Sequence, residues 1–450
     1  MAESFDLVVL GTGAGGSAPA SKCRAAGWRV AIVDDQPYGG TCALRGCDPK
    51  KVLVGAADVL AWHNHMLDHG VTGEAKIDWP ALMRFKRTFT DPVPAAREAA
   101  FAKAGIETLH GEAHFIAEDR LVAGGRELTS KHVVIATGSG PRPLGIPGED
   151  LVVSSTQFLE LDSLPPRIAF VGAGYISLEF AHIARRAGAE ITVLGRSAPL
   201  PGFDETLVER LLAHSRDIGI DVYLGSEVTE VTRVESSDVF RVHARDESRI
   251  VEAELVVHGA GRVPNTATLG AEAGHVRLDQ RGAVEVNEFL QSPTNPRVYA
   301  AGDVALPPGS VPLTPVAAHE GGVVASNLLH GNNKRPDYRG VSSVVFTLPH
   351  LAGVGLTEKV ARAQGFNVRV QAGDTTNWFS NRRVREPVGM FKTIIDADTD
   401  LVLGAHLLGA HADEVINLFA FAMRFGISAK DLKHMIYAYP TSASELPYML

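Results

Sequence analysis

Leu7-Val8-Val9-Leu10-Gly11-Thr12-Gly13-Ala14-Gly15-Gly16 is an apolar run that stops at a glycine turn, and its flanks decide the fold. A stretch of small residues to Ala26 follows and fits a helix. Val30-Ala31-Ile32-Val33-Asp34 then reads as a second strand. In a GxGxxG turn the first glycine, Gly11, allows the tight bend. The second, Gly13, removes a side chain where backbone meets phosphate, and the third, Gly16, lets helix pack on strand. A pyrophosphate would lie on the positive end of that helix. GxGxxG alone is weak evidence; a strand before it and a strand after it are the confirming context.

The same order returns at Arg167-Ile168-Ala169-Phe170-Val171, Gly172-Ala173-Gly174-Tyr175-Ile176-Ser177, a helix to Ala187, and Glu190-Ile191-Thr192-Val193-Leu194-Gly195-Arg196. The two copies are too far apart for a solenoid repeat, so the chain reads as two dinucleotide-binding domains. Their second strands end differently. Asp34 can accept hydrogen bonds from a ribose diol and would repel a 2′-phosphate, which assigns FAD or NAD to the first site. The second copy has no acid there. Arg196 puts a guanidinium where a 2′-phosphate would lie, which favours NADPH, with NADH as the alternative donor. Pro143 to Pro166 reads as the hinge between the copies. Near Gly259 to Asn265 the chain returns to the first. From about Pro336 the pattern changes to strands at Ser342–Phe346 and Leu401–Leu408 and helices at Asp413–Phe425 and Ala429–Tyr437, a separate α+β domain.

The bulk numbers agree. The chain has 450 residues, enough for several cores, with 45% hydrophobic and 21% charged residues, an ordinary globular balance. A net charge of −9 argues against a broad nucleic-acid surface. The N-terminus lacks the basic start of a signal peptide, and no apolar run reaches membrane-spanning length, so the expectation is a soluble cytoplasmic protein with no membrane partner.

Cys23, Cys42 and Cys47 are the only cysteines. So few in a long chain are not a secreted disulfide framework, and a close pair in a reducing compartment is catalytic or metal-binding rather than structural. Two cysteines fall short of a zinc site. In Gly39-Gly40-Thr41-Cys42-Ala43-Leu44-Arg45-Gly46-Cys47-Asp48-Pro49-Lys50-Lys51 a regular helix would hold the two Cα atoms too far apart to bridge, so the segment must bend, and Gly46 is placed to allow it. Pro49 fits the first turn of a helix running from Lys50 toward His63. A thiolate beside a helix N-terminus and a lysine has a lowered pKa. Cys23, among alanines, reads as a small buried side chain.

These segments together resemble the class I pyridine nucleotide-disulfide oxidoreductases, the family of glutathione reductase, lipoamide dehydrogenase and mercuric reductase. The cysteine segment resembles GGTCxxxGCxPxK, Ala136-Thr137-Gly138 its ATG turn, Gly172 to Glu179 its GxGYIxxE, Gly261-Arg262-Val263-Pro264-Asn265 its GRxPN, and Ala301-Gly302-Asp303 its second flavin motif. The resemblance implies an α/β fold of two Rossmann-like domains plus a C-terminal α+β dimerisation domain. The expected boundaries are 1–149 and 266–335 for FAD binding, 150–265 for NAD(P) binding and 336–450 for dimerisation. It implies a homodimer and a redox-active Cys42–Cys47 disulfide, with Cys47 the thiolate next to the flavin and Cys42 the thiol that meets substrate. Thr41, Ala113, Thr137, Gly138 and Thr314 join Gly11, Gly13, Gly16 and Asp34 around FAD, with Asp303 on the ribityl chain. Gly172, Gly174, Ile176, Arg196, Gly261 and Arg262 are expected at the nucleotides. Tyr175 would gate the nicotinamide, and Lys50 would pair with Glu179 by flavin N5.

The chain departs from that pattern at its end. Where the disulfide reductases carry His-Pro-Thr and an acid five residues on, this sequence has Tyr439-Pro440-Thr441 and Ser444, with Glu445 one place late. A phenol with pKa near ~10 is a poor proton shuttle at neutral pH. Mercuric reductase is similar in carrying a tyrosine there, but its C-terminal cysteine pair has no counterpart after Cys47. His434 is a candidate substitute for Tyr439, against the reading of a solvated helix histidine. Arg45 and Asp48 read either as substrate-selecting or as a mutual pair. The expected function is transfer of electrons from NAD(P)H through FAD and the cysteine pair to a small disulfide, a thiol-bound metal ion or a similar acceptor. The rival is a flavin-bearing redox sensor with weak turnover.

Overall fold

The computed structural model describes residues 3–245 and 249–450. The chain divides into two compact units, one formed by stretches 1–50, 85–142 and 261–338, the other by 51–84, 143–260 and 339–450.

In the first unit the opening sequence forms strand β1 (Glu3–Leu10), helix α1 (Ala14–Ala25) and strand β2 (Val30–Asp34). β1 is central: Leu7–Leu10 pair in parallel with Val30–Val33 on one side and with His132–Ile135 on the other. A parallel strand covered on both faces must be apolar throughout, which is why residues 7–10 do not alternate. The sheet continues beyond β2 to Glu107–His110 and, past the strand Arg126–Ile135, turns antiparallel through Arg120–Ala123 and Ala113–Ala117. Val298–Ala300 returns from far along the chain to pair with Arg126–Ile135. α1 is built of small residues because it packs almost backbone to backbone on the helix Thr314–His330: a side chain on Gly321 would meet the Gly15 carbonyl at 2.5 Å. Cys23 lies fully buried in this layer, and burial pushes its thiol up to about 12, as expected of an inert core residue.

The second unit holds the repeated order as strand Arg167–Val171, helix Tyr175–Arg186 and strand Glu190–Gly195. These strands lie in a parallel sheet with Ile220–Leu224 outside one edge and Leu255–His258 at the other. The proline-rich stretch read as a hinge is packed rather than bare. Val153 bridges to Val257, a capping box on Ser154 starts the short helix Ser155–Phe158, and Phe158 is buried against Phe170 and Phe180. The C-terminal part of this unit is a five-stranded antiparallel sheet, in the order Ser342–Val345, His350–Gly355, Val402–Gly409, Met390–Asp396, Val368–Asp374. The helix Ala412–Phe425 lies on it through Val415, Ile416 and Phe419. The next helix is shorter than expected: it ends at His434, because Met435 is already extended. Among the described residues no helix is long and apolar enough to cross a membrane.

Candidate functional site

The first unit places the two cysteines at a break between helices. Gly40–Arg45 forms a short helix α2, Gly46 leaves helical geometry at φ −141°, ψ −114°, and helix α3 runs from Cys47 to Met66. The long helix therefore begins three residues earlier than the sequence suggested. The Lys50 N–H donates to the Gly46 carbonyl at 3.2 Å, and Pro49 occupies the first turn, where a missing N–H costs nothing. Cys47 becomes the first residue of a 20-residue helix, at the positive end of its dipole. Gly46 also lets Cys42 come close. A side chain there would meet the Thr41 carbonyl at 2.9 Å and the Cys42 Cα at 3.3 Å.

Both cysteines carry free thiols. Cys47 is exposed and Cys42 partly so. The neighbouring Cys42 thiol lowers that of Cys47 to about 6, against the cost of burial and with the Thr314 hydroxyl and the Lys50 charge assisting. The same proximity, with burial, drives the Cys42 thiol well above the ordinary cysteine range. Thr314 begins the helix Thr314–His330, and its Oγ1 lies 3.7 Å from Cys47 Sγ. Asp48 accepts from Cys42 Sγ at 3.7 Å, and its charge bears on both sulfurs. Among the described residues no ion pair joins Arg45 to Asp48; burial lowers the Arg45 guanidinium, with the Asp34 and Asp35 charges opposing.

The surroundings of the first glycine turn fit a flavin dinucleotide. Gly11 has φ +106°, and a side chain on it would strike the Ala136 carbonyl at 2.3 Å. One on Gly16 would strike the Gly11 carbonyl at 2.2 Å. Gly13 has only the Gly40 Cα nearby, at 3.9 Å, and no side chain caps α1, so its first N–H groups remain available to phosphate. Asp34 receives the Thr12 N–H at 2.8 Å and hydroxyl at 2.6 Å, at the end of β2. Gly40, with φ +73°, lays the start of α2 and Thr41 against the turn. Asp303 Oδ2 accepts from Ser139 Oγ at 2.8 Å. Arg262 reaches both the hydroxyl and the carbonyl of Ser139. Thr137 and Asn265 exchange two hydrogen bonds beside Gly138 (φ +68°) and Gly261 (φ +107°). Ala113 opens the outermost strand of the sheet, partly buried.

Three contributors were missed by reading the sequence. Ser139 joins Asp303 to Arg262. Glu320, fully buried on the Thr314–His330 helix, takes the Gly302 N–H at 2.6 Å, the Ser310 hydroxyl at 2.8 Å and the Tyr338 hydroxyl at 2.7 Å, fixing the turn that carries Asp303. Its signal was a lone acid among valines and alanines. Gly259 compensates for Ser177, which stands where the second turn's third glycine would be: a side chain on Gly259 would sit 2.0 Å from Ser177 Oγ.

In the second unit Gly172 has φ +100° and faces the Gly259 carbonyl, while Gly174 caps the helix Tyr175–Arg186 without a side-chain hydrogen bond. Tyr175, at the helix start, is exposed, and Ile176 partly buried. Glu179 is buried, and its Oε1 accepts the Phe346 N–H at 2.7 Å. At the end of the second strand a side chain on Gly195 would meet Ala173 Cβ at 2.6 Å, so no acid fits. Arg196 is exposed and lies 3.4 Å from Glu227, which also holds Arg245 at 2.7 Å. Near the C-terminus Tyr439 is 81% exposed, and His434 is exposed at its helix end. Ser444 closes a capping box with Thr441, and Glu445 accepts the Ser380 N–H, so both have structural duties.

A family model described as pyridine nucleotide-disulphide oxidoreductase matches residues 5–321, and the dimerisation domain of the same description matches 341–450. The chain is 32% identical over 451 residues to a glutathione reductase of Burkholderia cepacia, covering 98% of this chain and 97% of that protein. It is 33% identical over 449 residues to a mercuric reductase of Staphylococcus aureus, covering 98% and 81%. The solved Cu(II) complex of the HOCl-induced flavoprotein disulfide reductase RclA from Escherichia coli matches with a TM-score of 0.89 at 28% identity, over 100% of this chain and 99% of that one.

Proposed function

The chain belongs to the pyridine nucleotide-disulphide oxidoreductase family, and from that premise we propose that it carries electrons from NADPH through FAD to Cys42 and Cys47 and out to a small disulfide or a thiol-bound metal ion. Family members are FAD-dependent oxidoreductases that use NAD(P)H, and the matched dimerisation domain supports a homodimer. FAD, when bound, supplies two-electron chemistry between a nicotinamide and a dithiol. The observation that carries the proposal is the placement of Cys47 at the head of α3, with the Thr314 hydroxyl 3.7 Å from its sulfur, while Cys42 Sγ lies 3.7 Å from Asp48. That setting lowers the Cys47 thiol, which favours its thiolate, and raises that of Cys42. Cys47 is thereby suited to face an oxidised ring, and Cys42 to meet the acceptor. Asp34 and the glycine turn would bind the flavin's adenylate half and Asp303 its ribityl chain. Thr314 would hold the Cys47 sulfur in place. Lys50 and Glu179 would stabilise charge at the ring, and Tyr175 would cover it until nicotinamide arrives. Preference for NADPH rests on Arg196, with Arg245 sharing Glu227 beside it.

The experiment is anaerobic addition of NADPH followed by spectroscopy and an acceptor panel. A long-wavelength thiolate-to-flavin charge-transfer band should form, persist in Cys42→Ser and vanish in Cys47→Ser. Only Cys42-containing enzyme should then turn over disulfides or metal–thiol complexes. A wild-type protein that reduces its flavin without the band would remove the cysteine relay.

A further inference from the structure

We infer that Asp48 selects the acceptor by charge, making this an enzyme for positively charged small disulfides that turns away anionic ones. The inference rests on the reading above that Cys42 is the thiol that meets the acceptor.

Asp48 is the second residue of α3, exposed to solvent, and Cys42 Sγ donates to its Oδ1 at 3.7 Å. Whatever reacts with that sulfur must bring its own sulfur, and the groups one or two carbons away, within a few ångströms of a carboxylate. Among the described residues no ion pair ties Asp48 to a neighbouring cation. At longer range the chain's net charge of −9 has the same sign as Asp48. Unit charges about 6 Å apart, at an effective dielectric constant between about 40 and 80, change a binding equilibrium roughly threefold to tenfold. Attraction of a cation and repulsion of an anion compound, so the ratio between them shifts on the order of tenfold to a hundredfold.

The step itself balances as an exchange of one S–S bond for another. The Cys42 proton passes to the Cys47 thiolate, and the Cys42 sulfur, now a thiolate, attacks the acceptor R–S–S–R, breaking its S–S bond. The departing R–S⁻ takes the proton back from Cys47 and leaves as R–SH. The Cys47 thiolate then attacks Cys42 Sγ, forming the Cys42–Cys47 disulfide and releasing R–S⁻. Two electrons have passed from the dithiol to the acceptor. Asp48 enters only by stabilising a positively charged R beside the reacting sulfurs.

The test uses the FAD-loaded full chain and three disulfides matched in size: bis(2-aminoethyl), bis(2-hydroxyethyl) and bis(2-carboxyethyl) disulfide. Wild type should show kcat/KM falling in that order. Asp48→Asn should collapse the amine-to-carboxylate ratio by at least about tenfold, and Asp48→Lys should invert it, while the hydroxyl compound changes least. Because the ratio is taken within each variant, loss of folded enzyme cancels. Raising ionic strength to about 1 M, where the screening length is about 3 Å, should shrink the wild-type ratio and leave that of Asp48→Asn nearly unmoved. A normal charge-transfer band in all variants with an unchanged ratio would overturn the charge-selection inference alone. A missing band in wild type would overturn the relay and this inference together.

Discussion

The unequal thiols give a quantity that can be titrated. With Cys47 lowered to about 6, against about 8.5 for an ordinary cysteine, the thiolate is its favoured form at neutral pH. The sign follows directly: a depressed thiol loses its thiolate, and with it the charge-transfer absorbance and the nucleophile, as pH falls through about 6. Three groups hold that value down, in the order Cys42, Thr314 and Lys50, against burial and the Asp48 charge. Removing the Thr314 hydroxyl, 3.7 Å from the sulfur, deletes one hydrogen bond worth about 1 kcal/mol, so Thr314→Val should raise the midpoint by roughly half to one pH unit. Cys42→Ala should raise it further, toward the ordinary thiol range. Anaerobic pH jumps on the reduced enzyme, read at the charge-transfer band, measure the midpoint. The pH dependence of iodoacetamide alkylation gives the Cys42→Ala midpoint by a second route, because the remaining thiol, Cys23, is buried and pushed up to about 12. A wild-type midpoint above about 8, or a larger shift from Thr314→Val than from Cys42→Ala, would refute the assignment of the proton to Cys42.

Gly46→Ala should push the Thr41 carbonyl and Cys42 away from their present positions, cost about 1–3 kcal/mol, and slow oxidation of the dithiol in stopped-flow traces more than it slows flavin reduction. Arg196→Ala should raise the KM for NADPH on the order of tenfold or more and leave that for NADH unchanged; equal effects on both would place Arg196 in a surface role. Glu386 is buried in the second unit, and loss of solvation raises its carboxyl to about 7, with the Arg186 charge partly opposing. A carboxyl raised in the fold favours the protonated form. Its contribution to stability is full below about 4.3, is lost as pH rises through about 7, and amounts to on the order of 3 kcal/mol. Thermal unfolding of Glu386→Gln should therefore approach wild type near pH 4 and exceed it above pH 7.

The parts of this molecule that were legible in its sequence are those where a local backbone need has one residue as its answer. Gly11 and Gly172 sit at φ +106° and +100° with a carbonyl in the way of any side chain, so the two nucleotide turns announced themselves. Gly46 was legible for a similar reason, because two cysteines five apart cannot meet along a continuous helix. The start of α3 was misplaced because Pro49 was taken as the first turn's opening residue. The third helical position tolerates proline equally well, since that N–H has no partner within the helix. Contacts between distant segments are written less plainly. The partners of Glu320, a lone acid among valines and alanines, and the room Gly259 makes for Ser177 depend on where the fold brings the chain together. The misplaced boundary is also the one with chemical consequences. Starting the helix at Lys50 would leave Cys47 in a loop; starting it at Cys47 puts that sulfur on the positive end of the dipole and turns Asp48 toward Cys42. The sequence already set Cys47 beside a helix N-terminus and a lysine; the earlier start moves its sulfur from beside that helix end onto the first turn itself.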